Sequence, residues 1–286
     1  LITDKTKAVI PVDLAGIPCD YDKIYSILEE KKSLFKPSND IQAAFRRVIV
    51  CADCAHALGA KYKGKMVGSV ADFSSFSFHA VKNFTTAEGG ALTWKSIEGI
   101  ADETIYQQVQ LLSLHGQSKD ALAKTELGSW EYDVVGPWFK CNMPDVLAAI
   151  GLAQLKRYPS LLARRREIIK RYDTVFKENG IKYLDHFNEV SESSGHLYIS
   201  RIPGISEDRR NAIITSMAER GISTNVHYKP LPLMTAYKNL GFDIVNFPYA
   251  FQHYENEITL PLYSLLSNTD VDYVAANYIA VVQEYL

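Results

Sequence analysis

The chain has 286 residues, 47% of them hydrophobic and 22% charged, a balance typical of a soluble globular protein. Its length is sufficient for one large core and a smaller second domain. Its net charge of −2 gives no electrostatic reason to expect nucleic acid or an anionic membrane as a partner. No apolar run approaches the roughly 20 residues that a membrane-spanning helix needs. The first residues also lack the pattern of a signal peptide, so we expect a cytoplasmic protein.

Strand-like and helix-like patterns alternate along the first part of the chain, which predicts an α/β architecture. Short apolar runs predict strands at residues 8–14, 47–52, 67–69, 73–78 and 90–94. Helical periodicity predicts helices at residues 21–32, 97–114, 142–155 and 161–179, and residues 116–135 are polar enough to predict a loop. The basic pair at 156–157 and the basic triplet at 164–166 are interpreted as the solvent-exposed face of a helix.

The pattern changes after Gly180, a residue suited to end a helix. Strands are predicted at 196–202 and 222–228, and helices at 207–220 and 270–283. We therefore predict a large domain at residues 1–180 and a small α/β domain at residues 181–286. Because an apolar run begins as early as Ala8, we also expect the N-terminal part of the large domain to be missing from this chain.

Cys51 and Cys54 form a Cys-x-x-Cys pair, a spacing typical of zinc and redox sites. No second pair of Cys or His residues completes a tetrahedral zinc site. We therefore expect no metal and interpret the four cysteines as reduced, largely buried thiols, with a thioredoxin-type site as the minor alternative.

Asp53 follows a predicted buried strand, which is where α/β folds place their ligand sites. Taken alone, Asp53 is better explained as a cap of the following turn, and His56 as a structural histidine. The functional alternative is a carboxylate that pairs with a protonated ring nitrogen, with His56 in the same pocket.

Lys82 lies in an aromatic and hydroxyl-rich stretch that is mostly uncharged. Burial of an ammonium group is costly and lowers its pKa, which is what a Schiff-base lysine needs to attack a carbonyl. Ser77, five residues earlier, offers a hydroxyl suited to a phosphate. A surface lysine after a strand is an equally good explanation of Lys82 by itself.

Together, Asp53, His56, Ser77 and Lys82 match the parts that a pyridoxal-phosphate (PLP) enzyme requires. These are a carboxylate for the pyridine nitrogen, a partner at the ring hydroxyl, a phosphate anchor and the Schiff-base lysine.

The sequence also resembles the DegT/DnrJ/EryC1/StrS sugar aminotransferases over nearly its whole length. The segments that carry the resemblance are residues 53–68, 76–83, 88–90, 114–116, 140–155, 223–231 and 260–263. The resemblance implies a PLP-dependent transferase of the aspartate aminotransferase-like fold type I, with a mixed, mostly parallel sheet. It also implies a homodimer whose active site is shared between subunits.

Several site roles are implied by this resemblance. Lys82 matches the Schiff-base lysine, which also carries protons, and Asp53 matches the partner of the pyridine nitrogen. His56 matches the residue beside the ring hydroxyl, and Ser77 the phosphate-binding serine.

Further roles concern the substrate and the second subunit. Lys140 matches a residue that reaches the cofactor phosphate of the neighbouring subunit. Asn142 stands where many members have an Arg facing the nucleotide-sugar, and His227 and Tyr228 match a loop that lines that site. Ala87 departs from the family, which usually has Gly in the turn after the lysine.

The implied function is the transfer of an amino group from an amino acid, glutamate in most relatives, to a 3- or 4-keto nucleotide-sugar. The alternatives on the same fold are a PLP-dependent sugar dehydratase, which typically has His at the position of Lys82, and a non-catalytic sugar-binding regulator.

Overall fold

A computed structural model describes residues 1–119 and 130–286. The predicted loop at 116–135 therefore lies partly outside the described residues. The strands are β1 Ala8–Val9, β2 Ile49–Asp53, β3 Lys61–Tyr62, β4 Lys65–Met66, β5 Phe73–Ser77, β6 Gly90–Trp94, β7 Lys182–Tyr183, β8 Ser191–Glu192, β9 Tyr198–Arg201 and β10 Glu257–Leu260. The α-helices are α1 Tyr21–Glu30, α2 Asp40–Phe45, α3 Asp102–Ser113, α4 Asp145–Leu155, α5 Tyr158–Glu178, α6 Glu207–Glu219, α7 Thr235–Asn239, α8 Pro248–Glu255 and α9 Asn268–Tyr285.

The chain divides into two compact units. The first contains Leu1–Asp13, Cys19–Leu58 and Lys65–Lys156, and the second contains Leu14–Pro18, Gly59–Gly64 and Arg157–Leu286. The second unit thus takes in α5, which the predicted boundary after residue 180 assigns to the large domain. That boundary stays a prediction for the domains of the whole protein.

The first unit is built on a four-stranded sheet in the order β1-β2-β5-β6. β2 pairs in parallel with β1 and with β5, whereas β6 runs antiparallel to β5. The sheet is therefore mixed and mostly parallel, as predicted. Val50 and Ala52 of β2 are almost completely buried, which is what a β-branched or small-residue run in a central strand predicts.

The second unit has a three-stranded antiparallel sheet in the order β10-β9-β7. Apolar side chains of α5, α6 and α9 pack with those of the sheet into one core. Ile169, Tyr198, Ile213, Ile258 and Tyr278 are at its centre and are at most 1% exposed. Gly180 follows α5 with φ +68°, so the predicted glycine end of this helix is confirmed.

Two predicted strands are wrong. Residues Val67–Ser69 form a 3-10 helix, because the polypeptide turns there between β4 and β5. Residues 222–228 form a loop, in which Asn225 makes an isolated bridge to Thr259. The helix predicted from residue 97 begins only at Asp102, since Ile97 and Ile100 pair across a turn that contains Gly99 at φ +79°.

The predicted solvent-exposed basic face at residues 164–166 is also wrong. Arg165 donates to the carbonyl oxygens of Gly195 and Leu262 at 3.0 Å each, and its burial lowers its pKa to about 10. Arg166 donates to the carbonyl oxygens of Ser193 and Gly59. These arginines satisfy buried backbone oxygens, whereas Lys156 and Arg157 are exposed as expected.

The four cysteines form no disulfide bonds, and the prediction that they are largely buried is correct only in part. Cys54 is completely buried, Cys19 and Cys51 are half-buried, and Cys141 is exposed. Among residues 1–119 and 130–286, no helix is both long and apolar enough to cross a membrane.

Candidate functional site

The carboxyl ends of the parallel strands β2 and β5 meet at one edge of the sheet of the first unit. Asp53 at the end of β2 lies directly opposite Ser75 of β5. Because side chains two residues apart in a strand share a face, Ser77 projects from the same face as Ser75 and Asp53. The sheet therefore places the carboxylate of Asp53 and the hydroxyl of Ser77 at one edge and on one face.

Asp53 is held in place through its backbone and its side chain. Its N–H donates to Pro11 O at 2.8 Å, and its carbonyl oxygen accepts the N–H of Asp13 at 3.0 Å. Its Oδ1 accepts the N–H of Ala55 at 3.0 Å, so the capping role weighed for this residue is present. That hydrogen bond also orients the carboxylate. His56 is half-buried on the turn that follows.

Lys82 lies on a closed loop between β5 and β6. The loop is closed at its neck, where the N–H of Phe78 donates to Gly89 O at 2.8 Å. Inside the loop, the N–H of Thr86 donates to Phe78 O at 2.9 Å, and the N–H of Lys82 donates to His79 O at the same distance. Lys82 is thus carried by a hydrogen-bonded turn.

This loop is also anchored to its surroundings. Phe84 is buried and packs edge-on against Phe78, with ring centroids 4.9 Å apart. The N–H of Thr85 donates to the side-chain oxygen of Gln154 on α4. A Cβ at Gly151 of α4 would lie 2.8 Å from Thr86, so the absence of a side chain at this position lets α4 approach the loop closely.

The amine of Lys82 is half-buried, and the charge of Asp53 acts on its pKa. Burial lowers its pKa, and the negative charge of Asp53 opposes this effect. A lowered pKa increases the fraction of neutral amine, the form that attacks a carbonyl and accepts a proton. Ser77 accepts the N–H of His79 through its Oγ at 3.3 Å, which places the hydroxyl at the start of the loop that carries Lys82.

Lys140 and Asn142 form a second group of predicted residues in the first unit. Both side chains are exposed, and the amine of Lys140 donates to the side-chain oxygen of Asn142. Asn142 lines a cavity of about 690 Å³ together with Glu88, Gly89 and Gly90, which end the Lys82 loop. Asp53 and Lys82 are not among the residues that line this cavity.

His227 and Tyr228 lie in the second unit, on the loop that precedes the Leu231–Leu233 3-10 helix. His227 is half-buried, and its Nδ1 is 2.9 Å from Thr259 Oγ1. Tyr228 is 53% exposed. The structure thus divides the predicted site residues between two units.

A protein-family model matches residues 1–278, and its description is the DegT/DnrJ/EryC1/StrS aminotransferase family. The chain belongs to this family. The spore coat polysaccharide biosynthesis protein SpsC of Bacillus subtilis is 36% identical over 278 residues, which are 95% of this chain and 65% of that protein. This chain therefore spans just under two thirds of the length of SpsC.

Solved structures of family members have the same fold. The putative sugar aminotransferase Spr1654 of Streptococcus pneumoniae, in its PMP form, is 57% identical with a TM-score of 0.95, and the match covers 100% of this chain and 71% of that one. PseC of Helicobacter pylori, an aminotransferase of pseudoaminic acid biosynthesis, is 29% identical with a TM-score of 0.82, covering 99% and 69% of the two chains. The predicted fold type I is therefore confirmed.

At Ala87, where the resemblance implies a glycine, the backbone has a conformation that favours glycine. Ala87 adopts φ +66°, in the left-handed region that glycine reaches without steric cost. Its N–H donates to Thr85 Oγ1 at 2.9 Å. The turn after Lys82 therefore keeps a glycine-type conformation even though this family member carries an alanine.

Asp13 supports the site and was missed by the sequence analysis. It is completely buried, and its carboxylate accepts hydrogen bonds from Tyr21 Oη at 2.9 Å, Cys19 N–H at 2.8 Å and Cys54 Sγ at 3.3 Å. Because its own N–H donates to Asp53, Asp13 braces the strand end that carries the site carboxylate. Asp13 falls within the strand predicted at residues 8–14, so the strand-end position that identified Asp53 did not single it out.

Proposed function

We propose that this protein is a PLP-dependent aminotransferase that transfers an amino group from glutamate to a 3- or 4-keto nucleotide-sugar. The observation that supports this proposal most strongly is that Asp53, Ser77 and Lys82 lie at one edge of a mostly parallel sheet. The charge of Asp53 also acts on the pKa of the Lys82 amine. Membership of a sugar aminotransferase family supports it.

The residues at this edge fit PLP chemically. A carboxylate, a hydroxyl and an amine of lowered pKa are the groups that the pyridine nitrogen, the phosphate and the aldehyde of PLP require. Asp53 would hold the ring nitrogen, Ser77 the phosphate and Lys82 the aldehyde carbon, with His56 beside the ring hydroxyl. When bound, PLP supplies an electron sink for the charge that develops as the amino group is exchanged.

The protein's own residues would perform the remaining chemistry. The neutral amine of Lys82 would accept the proton from the α-carbon of the amino donor and deliver protons in the second half-reaction. The carboxylate of Asp53 would keep the proton on the ring nitrogen, because a negative charge stabilises a protonated partner. The hydrogen bond from Ala55 fixes the direction in which Asp53 points.

We further propose that the protein works in the cytoplasm as a homodimer with a shared active site. In this arrangement Lys140 would reach the cofactor phosphate of the second subunit. Asn142, His227 and Tyr228 would bind the nucleotide-sugar.

The test is to load the intact protein with PLP and to offer glutamate together with a panel of UDP- and dTDP-linked 3-keto and 4-keto sugars. We expect glutamate to shift the absorbance of the bound cofactor and at least one sugar to reverse that shift and be aminated. A cofactor band that glutamate leaves unchanged would contradict the proposal and favour a sugar-binding regulator. Loss of oxygen from the sugar without amination would favour a dehydratase.

A further inference from the structure

Glu257 is a buried acid in the middle of the second unit. It begins β10, all four residues of which are buried, and it is itself 6% exposed. Its Oε1 has no hydrogen-bond partner within the described part of the chain. A buried carboxyl group with an unused oxygen is costly, so its presence calls for a specific role.

The carboxylate of Glu257 accepts the backbone N–H of His227. Thr259, two residues along the same strand, bonds to the same loop at two further points. Its backbone exchanges hydrogen bonds with Asn225, at 3.1 and 2.7 Å, and its Oγ1 lies 2.9 Å from His227 Nδ1. Strand β10 therefore holds the loop up to His227 through both its backbone and its side chains.

We propose that Glu257 is a positioning residue that sets the affinity for the nucleotide-sugar by holding His227 and, through it, Tyr228. The inference rests on the proposed function, which assigns these two residues to the sugar site. The ring of Tyr228 packs edge-on against that of His227, with centroids 4.7 Å apart, so the position of His227 affects the position of the tyrosine ring. Glu257 acts through the loop and not by contact with the reacting atoms.

The surroundings of Glu257 give the proposal a pH signature. Burial raises the pKa of this carboxyl to about 7, against the opposing effects of Arg210, Arg201 and the His227 N–H. Arg210 lies on α6 and Arg201 on β9. Glu207 and Tyr254 contact Arg210, the charge of Arg201 acts on His253, and Lys182 of β7 stands opposite Arg201 in the sheet.

An ionised carboxylate accepts an N–H more strongly than a protonated one does. As the pH falls through about 7, Glu257 takes up a proton and its hold on His227 weakens. The KM for the sugar should therefore rise below this pH, whereas the reaction with glutamate should not follow the same profile.

The test measures the two half-reactions separately in the PLP-loaded protein, with Glu257→Ala, Glu257→Gln and Ser200→Ala as variants. The sugar is the member of the panel above that the wild type aminates fastest. Ser200 is a matched control, because it is buried in the adjacent strand and bonds to Ile258 O at 2.8 Å, away from the loop.

For Glu257→Ala we expect the KM for the sugar to rise about tenfold, because a hydrogen bond to a charged group is lost. Its kcat and its glutamate half-reaction should stay near those of the wild type. Glu257→Gln presents a neutral acceptor, as the protonated acid does, so its KM should match the raised value that the wild type reaches below about pH 7 and should not change as the pH passes through about 7. Ser200→Ala should keep the wild-type KM and pH profile.

Two results would overturn the inference. One is a wild-type KM and pH profile in both Glu257 variants. The other is an equal loss in the glutamate and sugar half-reactions. Should Glu257→Ala fail to fold, the pH profiles of the wild type and Glu257→Gln still decide the matter. A wild type that does not react with glutamate would instead refute the proposed function.

Discussion

The buried histidine of the second unit should make the stability of that unit fall in mild acid. His186 is 1% exposed, its Nδ1 lies 3.0 Å from Ser193 Oγ, and its ring is stacked on that of Tyr198. Its Nε2 has no hydrogen-bond partner among the described residues. Protonation would leave an unpaired charge in the core, so burial lowers the pKa of His186 from its ordinary 6.5 to about 4.

The sign and size of the effect follow from these two pKa values. Below pH 6.5 the unfolded chain takes up a proton at His186, whereas the folded unit does so only near pH 4. The stabilising contribution is therefore complete above pH 6.5 and is lost as the pH falls towards 4. The full difference amounts to about 3 kcal/mol, of which about 2 kcal/mol is lost by about pH 5.

Hydrogen exchange in β9, followed by mass spectrometry at about pH 5 and about pH 7.5, measures this loss. The reference variant is His186→Asn, whose amide can bond to Ser193 but does not titrate. Exchange rates are compared between the two proteins at the same pH, so that the intrinsic pH dependence cancels. Between the two pH values, we expect the wild type to lose about 30-fold more protection than the variant.

The comparison with the variant is necessary because another buried group acts in the opposite direction. Burial raises the pKa of Asp173 to about 6, against the hydrogen bond that it accepts from Tyr198, so its contribution is lost as the pH rises from 3.8 to 6. Asp173 is present in both proteins and drops out of the difference. Parallel pH profiles for wild type and His186→Asn would refute the reasoning.

Two further substitutions test the first unit, both by urea denaturation. Ala87→Gly should raise the stability by about 1 kcal/mol, because φ +66° costs an alanine more than a glycine, and a decrease would contradict the strain argument. Asp72→Asn should lower the stability by about 3 kcal/mol, because Asp72 is 3% exposed, pairs with Arg47 at 2.7 and 2.8 Å and accepts the N–H of Val50. A loss no larger than that of an exposed ion pair such as Asp4 with Lys36 would contradict it.

Local patterns were sufficient to predict the sheet edge of the site. Asp53 directly follows an apolar run and Ser77 lies near the end of the next predicted strand, and parallel strands bring such ends together whatever the rest of the chain does. Gly180 could likewise be predicted as a helix end, because its φ is set by the chain's own geometry. These features depend on contacts between residues that are close in the sequence, or on the alternation of side chains between the two faces of a strand.

Features that depend on distant contacts could not be predicted. Arg165 sits in a run of charges that favours an exposed face, yet it pairs with carbonyl oxygens 30 and 97 residues away. Glu257 and His186 have no local signal of burial, because the residues that enclose them come from other elements. The Ile222–Tyr228 segment has the composition of a strand, but it is bridged to β10 only at Asn225.

The most direct test of the central claim is to treat the PLP-loaded protein with borohydride, which reduces the bond between a lysine amine and the pyridoxal aldehyde, and to locate the labelled lysine by peptide mass spectrometry. The matched control is Lys82→Arg, which keeps the charge but cannot form that bond. We predict a single labelled lysine, Lys82, and no label in the variant. A label on a different lysine, or an unlabelled wild type, would contradict the account.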